Sequence, residues 1–184
     1  MNLIDDLKEI VGLRATASIV ERLCYASDAS QVQGLPEYVV RPLSVLEVSR
    51  ILRLCYERGI AITPRGAGTG LAGGAAPLRG GVMLDMSGMN HILEIDIENQ
   101  QVIIEPGVVQ EQLNRALLPY GFFFPPDPGS SAACTVGGMI SNNSSGMRCV
   151  KYGTTRSYVL DLEVVLADGR VIHTGSKVLK SAAG

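Results

Sequence analysis

The chain has 184 residues, of which 46% are apolar, so one domain or two small lobes can bury a full core. Its net charge of −2 argues against general nucleic-acid binding, which needs a basic face. No apolar run approaches the roughly 20 residues of a membrane span, and the N-terminal residues lack the apolar core of a signal peptide. The four cysteines show neither a CxxC pair nor a zinc-ligand spacing. The composition predicts reduced thiols, no metal site and a cytoplasmic location.

The N-terminal part of the chain predicts three helices. Two short helices are expected over residues 2–12 and 17–24, where apolar side chains recur near a period of 3.6 residues. Ser44 and Glu47 have the S-x-x-E spacing of a capping box, which predicts that a longer helix begins there. Gly59 is a typical stop for that helix.

Most of the remaining elements are predicted strands separated by turn residues. They cover residues 38–41, 60–63, 82–86, 92–97 and 102–105, followed by a helix over about 109–118 and a hairpin of 160–166 and 171–174. The proline-rich segment 125–128 is expected to be extended, and the Gly/Ser/Asn-rich segment 137–146 is interpreted as a bend. This order predicts an α+β fold with mixed sheets and flanking helices.

A glycine-rich segment at residues 66–74 carries the strongest functional signal, with five glycines in nine residues. Glycine at this density costs backbone entropy and packs poorly, but it lets main-chain N–H groups approach an anion such as a phosphate. No acidic residue occurs between Arg58 and Leu84, whereas Arg65 and Arg79 are cationic. The segment predicts a site for the diphosphate of a cofactor.

Two common phosphate-binding patterns do not explain this segment. A P-loop needs Gly-Lys-Ser/Thr, which the chain lacks. Gly68, Gly70 and Gly73 match the dinucleotide pattern G-x-G-x-x-G, and Asp85 follows at a suitable distance. That pattern also needs a helix before the next strand, and residues 74–81 contain a proline and three glycines. A Rossmann fold is therefore not expected.

Several motifs in fixed order explain more of the chain. They are Pro64–Gly70, Gly81–Asn90, Glu105–Val108, Pro125–Ser130, Thr135–Gly138, Asn142–Gly146, Lys151–Gly153 and Asp161–Gly169. Together they resemble the FAD-linked oxidases of the vanillyl-alcohol oxidase/p-cresol methylhydroxylase type. The similarity is greatest to the branch of glycolate oxidase FAD subunits and D-lactate dehydrogenases, and it covers about residues 25–184.

The resemblance implies a two-lobed FAD-binding domain over residues 34–184, with lobes of about 34–124 and 125–184, after an N-terminal helical segment of residues 1–33. It implies three cofactor-contacting segments. The first comprises Pro64, Arg65, Gly66, Ala67, Gly68, Thr69 and Gly70; the second comprises Pro128, Ser131, Thr135, Gly137, Gly138, Asn142 and Gly146; the third comprises Tyr152 and Gly153. Members that bind flavin covalently have histidine at the position of Thr69, so non-covalent FAD is expected.

The resemblance further implies a dehydrogenase that oxidises a 2-hydroxy acid such as glycolate or D-lactate. An iron–sulfur subunit is a possible electron acceptor, and such a partner could associate the protein with a membrane. No catalytic residue is identifiable, because the family's base and carboxylate clamp lie in a downstream substrate domain. We interpret the chain as an N-terminal portion, truncated before that domain, and expect it alone to bind FAD weakly or not at all and to be inactive.

Other interpretations of the same residues stay open. The fold also suits a reductase of a nucleotide-sugar enol ether, or a non-catalytic subunit that has lost its flavin. Arg65 can cap the glycine-rich segment or pair with a carboxylate. Tyr152 can be a core aromatic residue, and Asn142 can simply occupy a turn. His91 and His173 are interpreted as surface residues.

Overall fold

The computed structural model describes residues 2–175, which form a mixed α+β structure. The helices are α1 (Leu3–Val11), α2 (Ile19–Cys24), α3 (Val45–Glu57), α4 (Gln110–Leu117), α5 (Val136–Asn142) and α6 (Cys149–Tyr152). The strands are β1 (Ala15–Thr16), β2 (Tyr38–Val40), β3 (Ile62–Arg65), β4 (Val82–Asp85), β5 (Ile92–Asp96), β6 (Gln101–Ile104), β7 (Glu163–Val165) and β8 (Val171–His173). Met1 and the end of the predicted domain, 176–184, lie outside the described residues.

Four strands form a mixed sheet in the order β1-β2-β4-β3. β4 is parallel to both of its neighbours, while β1 is antiparallel to β2. The 66–81 connection between β3 and β4 forms bends and turns without a helix. A parallel pair is usually joined through a helix, so this connection agrees with the rejection of a Rossmann unit.

The first hydrophobic core lies between this sheet and helices α1 and α3. Leu7 of α1 and Ile51 of α3 are fully buried in it. The predicted cap of α3 is present in part, because the Ser44 hydroxyl accepts the Glu47 amide at 3.3 Å. The Glu47 carboxylate does not return to Ser44: it accepts the Leu43 amide and pairs with Arg14, both at 2.7 Å. The capping box is therefore only half formed.

A second hydrophobic core joins the β5–β6 hairpin to α4 and α5. It contains the buried side chains of Val108, Leu113, Leu117 and Val136. Apart from Val165 of β7, the residues of the first core precede those of the second, and the change falls between Met89 and Ile92. The β7–β8 hairpin returns to α3, where the Ser49 hydroxyl donates to the Gly169 carbonyl oxygen at 2.5 Å. The lobe boundary at about residue 124 stays a prediction.

Two predicted elements differ from the structure. The strand expected over 60–63 lies at 62–65, so Pro64 and Arg65 are strand residues. The segment interpreted as a bend contains α5, which Thr135 caps by accepting the Gly138 amide at 3.4 Å. Within residues 2–175, every helix is too short or too polar to cross a lipid bilayer.

Candidate functional site

The glycine-rich loop, residues 66–74, leaves β3 at the edge of the sheet where Arg65 is in register with Asp85. Gly68 and Gly73 have φ values of 69° and 74°, which glycine adopts without a steric penalty. Within the described part of the chain, none of the main-chain N–H groups of the loop donates a hydrogen bond. The loop therefore presents a continuous series of free donors, on residues that are half-buried or exposed.

Arg65 caps this loop. Its Nη1 donates to the carbonyl oxygen of Ser27 at 2.8 Å and to that of Ala75 at 3.3 Å. Its guanidinium carbon lies 5.5 Å from the centre of the Tyr25 ring, within the range of a cation–π contact. A Cβ on Gly68 would overlap this guanidinium group. Of the two roles left open by the sequence, the hydrogen bonds support the cap.

The loop is acid-free in sequence but has a carboxylate beside it in space. Asp28 is buried, and its Oδ2 accepts the amide of Ala75, just after the loop, at 3.2 Å. Its Oδ1 accepts the Ser30 amide at 3.0 Å and also accepts the Ser30 hydroxyl. Burial raises the pKa of this carboxyl, but these hydrogen bonds and the charge of Arg65 outweigh it and lower the pKa overall. Asp28 is therefore ionised at neutral pH, and both of its carboxylate oxygens accept hydrogen bonds from protein groups.

Helix α5 meets the loop directly. A Cβ on Gly66 would overlap the Thr135 hydroxyl, and a Cβ on Gly70 would lie 3.4 Å from the Asn142 amide nitrogen. Gly66 and Gly70 from the first predicted segment thus lie beside Thr135 and Asn142 from the second. Asn142 is exposed, so its carboxamide lies at the rim of the loop.

The main-chain donors of α5 are already used, unlike those of the loop. The Val136 amide donates to Val108 at 2.8 Å, and the Gly137 amide donates to Pro106 at 2.9 Å. A Cβ on Gly137 would lie 2.6 Å from the Pro106 ring. Close packing therefore accounts for glycine at 137, and the amides of the first turn of α5 are not available to a ligand.

The other predicted site residues lie in the segment around α5 and α6. Pro128 accepts the Ser131 amide at 2.9 Å, and a Cβ on Gly146 would overlap the carbonyl of Asp127. The Tyr152 ring makes an edge contact with Phe123 at 5.7 Å. Gly153 has a φ of 78° at the end of α6. The contacts seen at these positions are structural ones, and a role for them in cofactor binding stays a prediction.

Sequence reasoning did not identify three residues around the loop. Besides Asp28, they are Tyr25 and Asp85, whose side chains share a hydrogen bond of 2.6 Å. Asp85 also accepts the Ser87 amide at 2.9 Å and lies 3.6 Å from Arg41. Its carboxylate is therefore occupied by contacts with other residues of the protein. A single Tyr, or an Asp at the end of an apolar strand, carries no pattern that predicts such contacts.

The free donors suit a ligand with several anionic oxygens. Successive amides that point to one side form a concave site for phosphate groups. The positive charge of Arg65 acts on Asp28 and offsets part of its negative charge beside the loop. The residues present therefore fit a diphosphate group at this loop.

Comparison with known proteins identifies the family. The sequence model of the protein family described as FAD binding domain matches residues 36–175. The glycolate oxidase subunit GlcD of Bacillus subtilis is 49% identical over 164 residues, which are 89% of this chain and 35% of that protein. The D-lactate dehydrogenase of Archaeoglobus fulgidus is 48% identical over 146 residues, which are 79% of this chain and 32% of that protein. The chain spans about a third of the length of these curated relatives.

Solved structures share the fold. A structure of p-cresol methylhydroxylase with substrate bound has a TM-score of 0.81 and 25% identity, over 94% of this chain and 34% of that chain. A structure of alkyldihydroxyacetonephosphate synthase has a TM-score of 0.82 and 24% identity, over 95% of this chain and 34% of that chain. The second similarity concerns the fold alone. These neighbours confirm the predicted α+β fold of the p-cresol methylhydroxylase type.

Proposed function

Because the chain belongs to the FAD binding domain family, we propose that it is the FAD-binding portion of a dehydrogenase that oxidises a 2-hydroxy acid such as glycolate or D-lactate. One observation carries the proposal: the free main-chain amides of residues 66–74 lie together at the end of two parallel strands, beside α5. Such a row of donors suits the diphosphate of FAD.

In this proposal the protein residues bind and orient the cofactor. The loop amides donate to the diphosphate oxygens, and the hydroxyl of Thr69 adds one further donor. Threonine has no nucleophilic ring nitrogen with which to form a covalent link to flavin, so the binding is non-covalent. The Asn142 carboxamide, whose nitrogen lies near Gly70, adds another donor. When bound, FAD supplies the ability to accept a hydride.

The substrate class is inferred from the relatives. A glycolate oxidase subunit and a D-lactate dehydrogenase both align with most of this chain, and their substrates share a hydroxyl group next to a carboxylate. The Bacillus subtilis protein is a subunit, so we include an electron-accepting partner, for which an iron–sulfur protein is suitable. The base and carboxylate clamp are proposed to lie in the part of a longer protein that aligns with the other two thirds of the relatives.

The cofactor site is tested on the 184-residue chain by NMR. Amide nitrogen–proton spectra recorded during titration with FAD, and separately with ADP, report on each loop amide even if binding is weak. We expect the largest chemical-shift changes at residues 66–74 with both ligands, because FAD and ADP share the diphosphate. Shifts confined to other parts of the chain would contradict the proposed site.

The substrate class is tested in a chimera that joins this chain to the downstream part of the Bacillus subtilis relative. We expect the chimera to bind FAD and the flavin absorbance to bleach anaerobically when glycolate or D-lactate is added. The unaltered relative is the control for a functional downstream part. A chimera that holds oxidised flavin but is reduced by neither acid, while the relative is reduced, would contradict the proposed substrate class.

A further inference from the structure

A short N-terminal segment, residues 25–34, runs along the glycine-rich loop. The amide of Ala29 donates to the carbonyl oxygen of Gly68 at 3.0 Å. A Cβ on Gly73 would lie 3.2 Å from the Val32 side chain. Residues 25–34, which make these contacts, lie outside residues 36–175, the range that matches the family. The loop is therefore held on one side by a segment that the family description does not include.

Both ends of the loop are fastened to this segment through side chains. Arg65, just before the loop, donates to the Ser27 and Ala75 carbonyl oxygens. Asp28 accepts the amide of Ala75, just after the loop. Ala75, at the far end of the loop, is thus held at its carbonyl oxygen by the arginine and at its amide by the aspartate.

All the free N–H groups of residues 66–74 lie between Arg65 and Ala75, the two points at which the loop is held. Loops with many glycines have a high conformational entropy, and ordering them on binding costs free energy. Two charged groups that fix the loop before the ligand arrives lower this cost. Charge-assisted hydrogen bonds are suited to this task because they are stronger and more directional than neutral ones.

We propose that Asp28 and Arg65 are positioning residues that preorganise the amides of residues 66–74 for the diphosphate. The proposal rests on the proposed function, since it concerns the same site. It assigns to Asp28 a role that its charge alone would not suggest, because a carboxylate near an anion site repels the anion.

An effect of charge alone and an effect of positioning predict different changes in ligand affinity for conservative variants. If only charge matters, Asp28→Asn removes a repulsive charge and strengthens binding, and Arg65→Lys keeps the charge and leaves binding unchanged. If positioning matters, Asp28→Asn loses one acceptor and Arg65→Lys loses the guanidinium fork, so both weaken binding. The two explanations therefore differ in sign for one variant and in size for the other.

The test is an NMR titration of the full 184-residue chain and its variants with ADP and with FAD. For weak binding, the initial slope of each amide shift against ligand concentration is proportional to affinity. We expect both variants to reduce the slopes at residues 66–74 about tenfold, which corresponds to loss of one hydrogen bond to a charged group. Glu98→Gln, which removes one negative charge at an exposed turn, is the matched control and keeps the wild-type slopes.

Each outcome separates this inference from the proposed function. If the wild-type chain shows no shifts at residues 66–74, the proposed site itself fails. If the wild-type chain shows them, and the slopes of Asp28→Asn rise while those of Arg65→Lys are unchanged, the positioning role is overturned. Should Asp28→Asn fail to give a folded spectrum, Arg65→Lys alone decides, since only positioning predicts weaker binding for a variant of equal charge.

Discussion

The contact between Gly66 and Thr135 shows how two distant motifs depend on single residues. The Thr135 hydroxyl accepts the Gly138 amide and lies where a side chain at position 66 would begin. One buried oxygen therefore caps α5 and sets the distance between the helix and the loop. Glycine at 66 is required by this packing as well as by access to its amide.

We expect Gly66→Ala to destabilise the chain by about 1–3 kcal/mol, because the added methyl group displaces a buried, hydrogen-bonded hydroxyl. Thr135→Ala should cost about 0.5–2 kcal/mol through the lost helix cap. The double variant should cost less than the sum, since the first change has already displaced the hydroxyl. Urea unfolding followed by circular dichroism measures all three.

Gly74→Ala is the control for this cycle, because a Cβ at Gly74 meets no atom within 4 Å. Its free energy of unfolding should change little. Additive effects of Gly66→Ala and Thr135→Ala would show that the two residues do not interact and would contradict the contact.

Residue roles were harder to predict from the sequence than residue types. The glycines and their lack of acidic neighbours indicated an anion site. The sequence does not decide between the two roles of Arg65, because its acceptors are the carbonyl oxygens of Ser27 and Ala75. Every residue has such an oxygen, so no residue type marks the acceptor. Asp28 was missed because it lies 47 positions from the amide that it accepts. Contacts of this kind arise from the fold and leave no local pattern.

At the scale of elements, helix α5 shows the limit of composition. Gly137, Gly138 and Asn142 are poor helix formers, so the sequence favoured a bend. The helix forms because Thr135 caps it and because Val136 and Met139 are buried beneath it. By contrast, α3 was predictable, since its apolar period, its Ser44 cap and Gly59 all indicate the same helix.

The pair of Arg14 and Glu47 links the chain before β1 to the start of α3. Both guanidinium Nη atoms donate to the carboxylate at 2.7 Å. The hydrogen bond from Arg14 lowers the pKa of Glu47, with burial acting in the opposite direction. The carboxylate is therefore ionised more readily in the folded chain than in the unfolded chain, and the pair stabilises the fold where Glu47 is ionised.

We expect Glu47→Gln to cost about 1 kcal/mol at pH 7, since the pair is bidentate but partly exposed. The difference from wild type should shrink as the pH falls below about 4, because wild-type Glu47 then becomes protonated. Urea unfolding at several pH values measures this. A difference that stays constant down to pH 2 would contradict the assignment.

At the scale of the whole molecule, the candidate site lies between an element of the first hydrophobic core and an element of the second. The loop follows β3 of the first core, and α5 belongs to the second. The order of motifs along the sequence predicted that two segments would approach one ligand. It did not predict where one core ends, because the β7–β8 hairpin returns to α3 through contacts between residues more than a hundred positions apart.

The residues of the loop are half-buried or exposed. In the part of the chain that the structure describes, a depression of about 470 Å³ is lined by Glu37, Gly59, Ile60, Ala61, Arg79 and Gly81, away from the loop amides. Sites for cofactors usually enclose most of the ligand. The donors of residues 66–74 therefore supply one wall, and the relatives, about three times as long, have the length to supply others.

We accordingly expect the 184-residue chain to bind FAD weakly. FAD at a concentration near its dissociation constant stabilises the fold by only about 0.4 kcal/mol, which raises the Tm of a chain of this size by about 1–2 °C. We expect a rise no larger than this at about 100 µM FAD, which corresponds to a dissociation constant of about 100 µM or more. Differential scanning calorimetry measures it, with the chimera as the comparison expected to show a larger rise. A rise of about 8 °C or more in the chain alone would indicate tight binding, and would mean that residues of this chain enclose the cofactor by themselves.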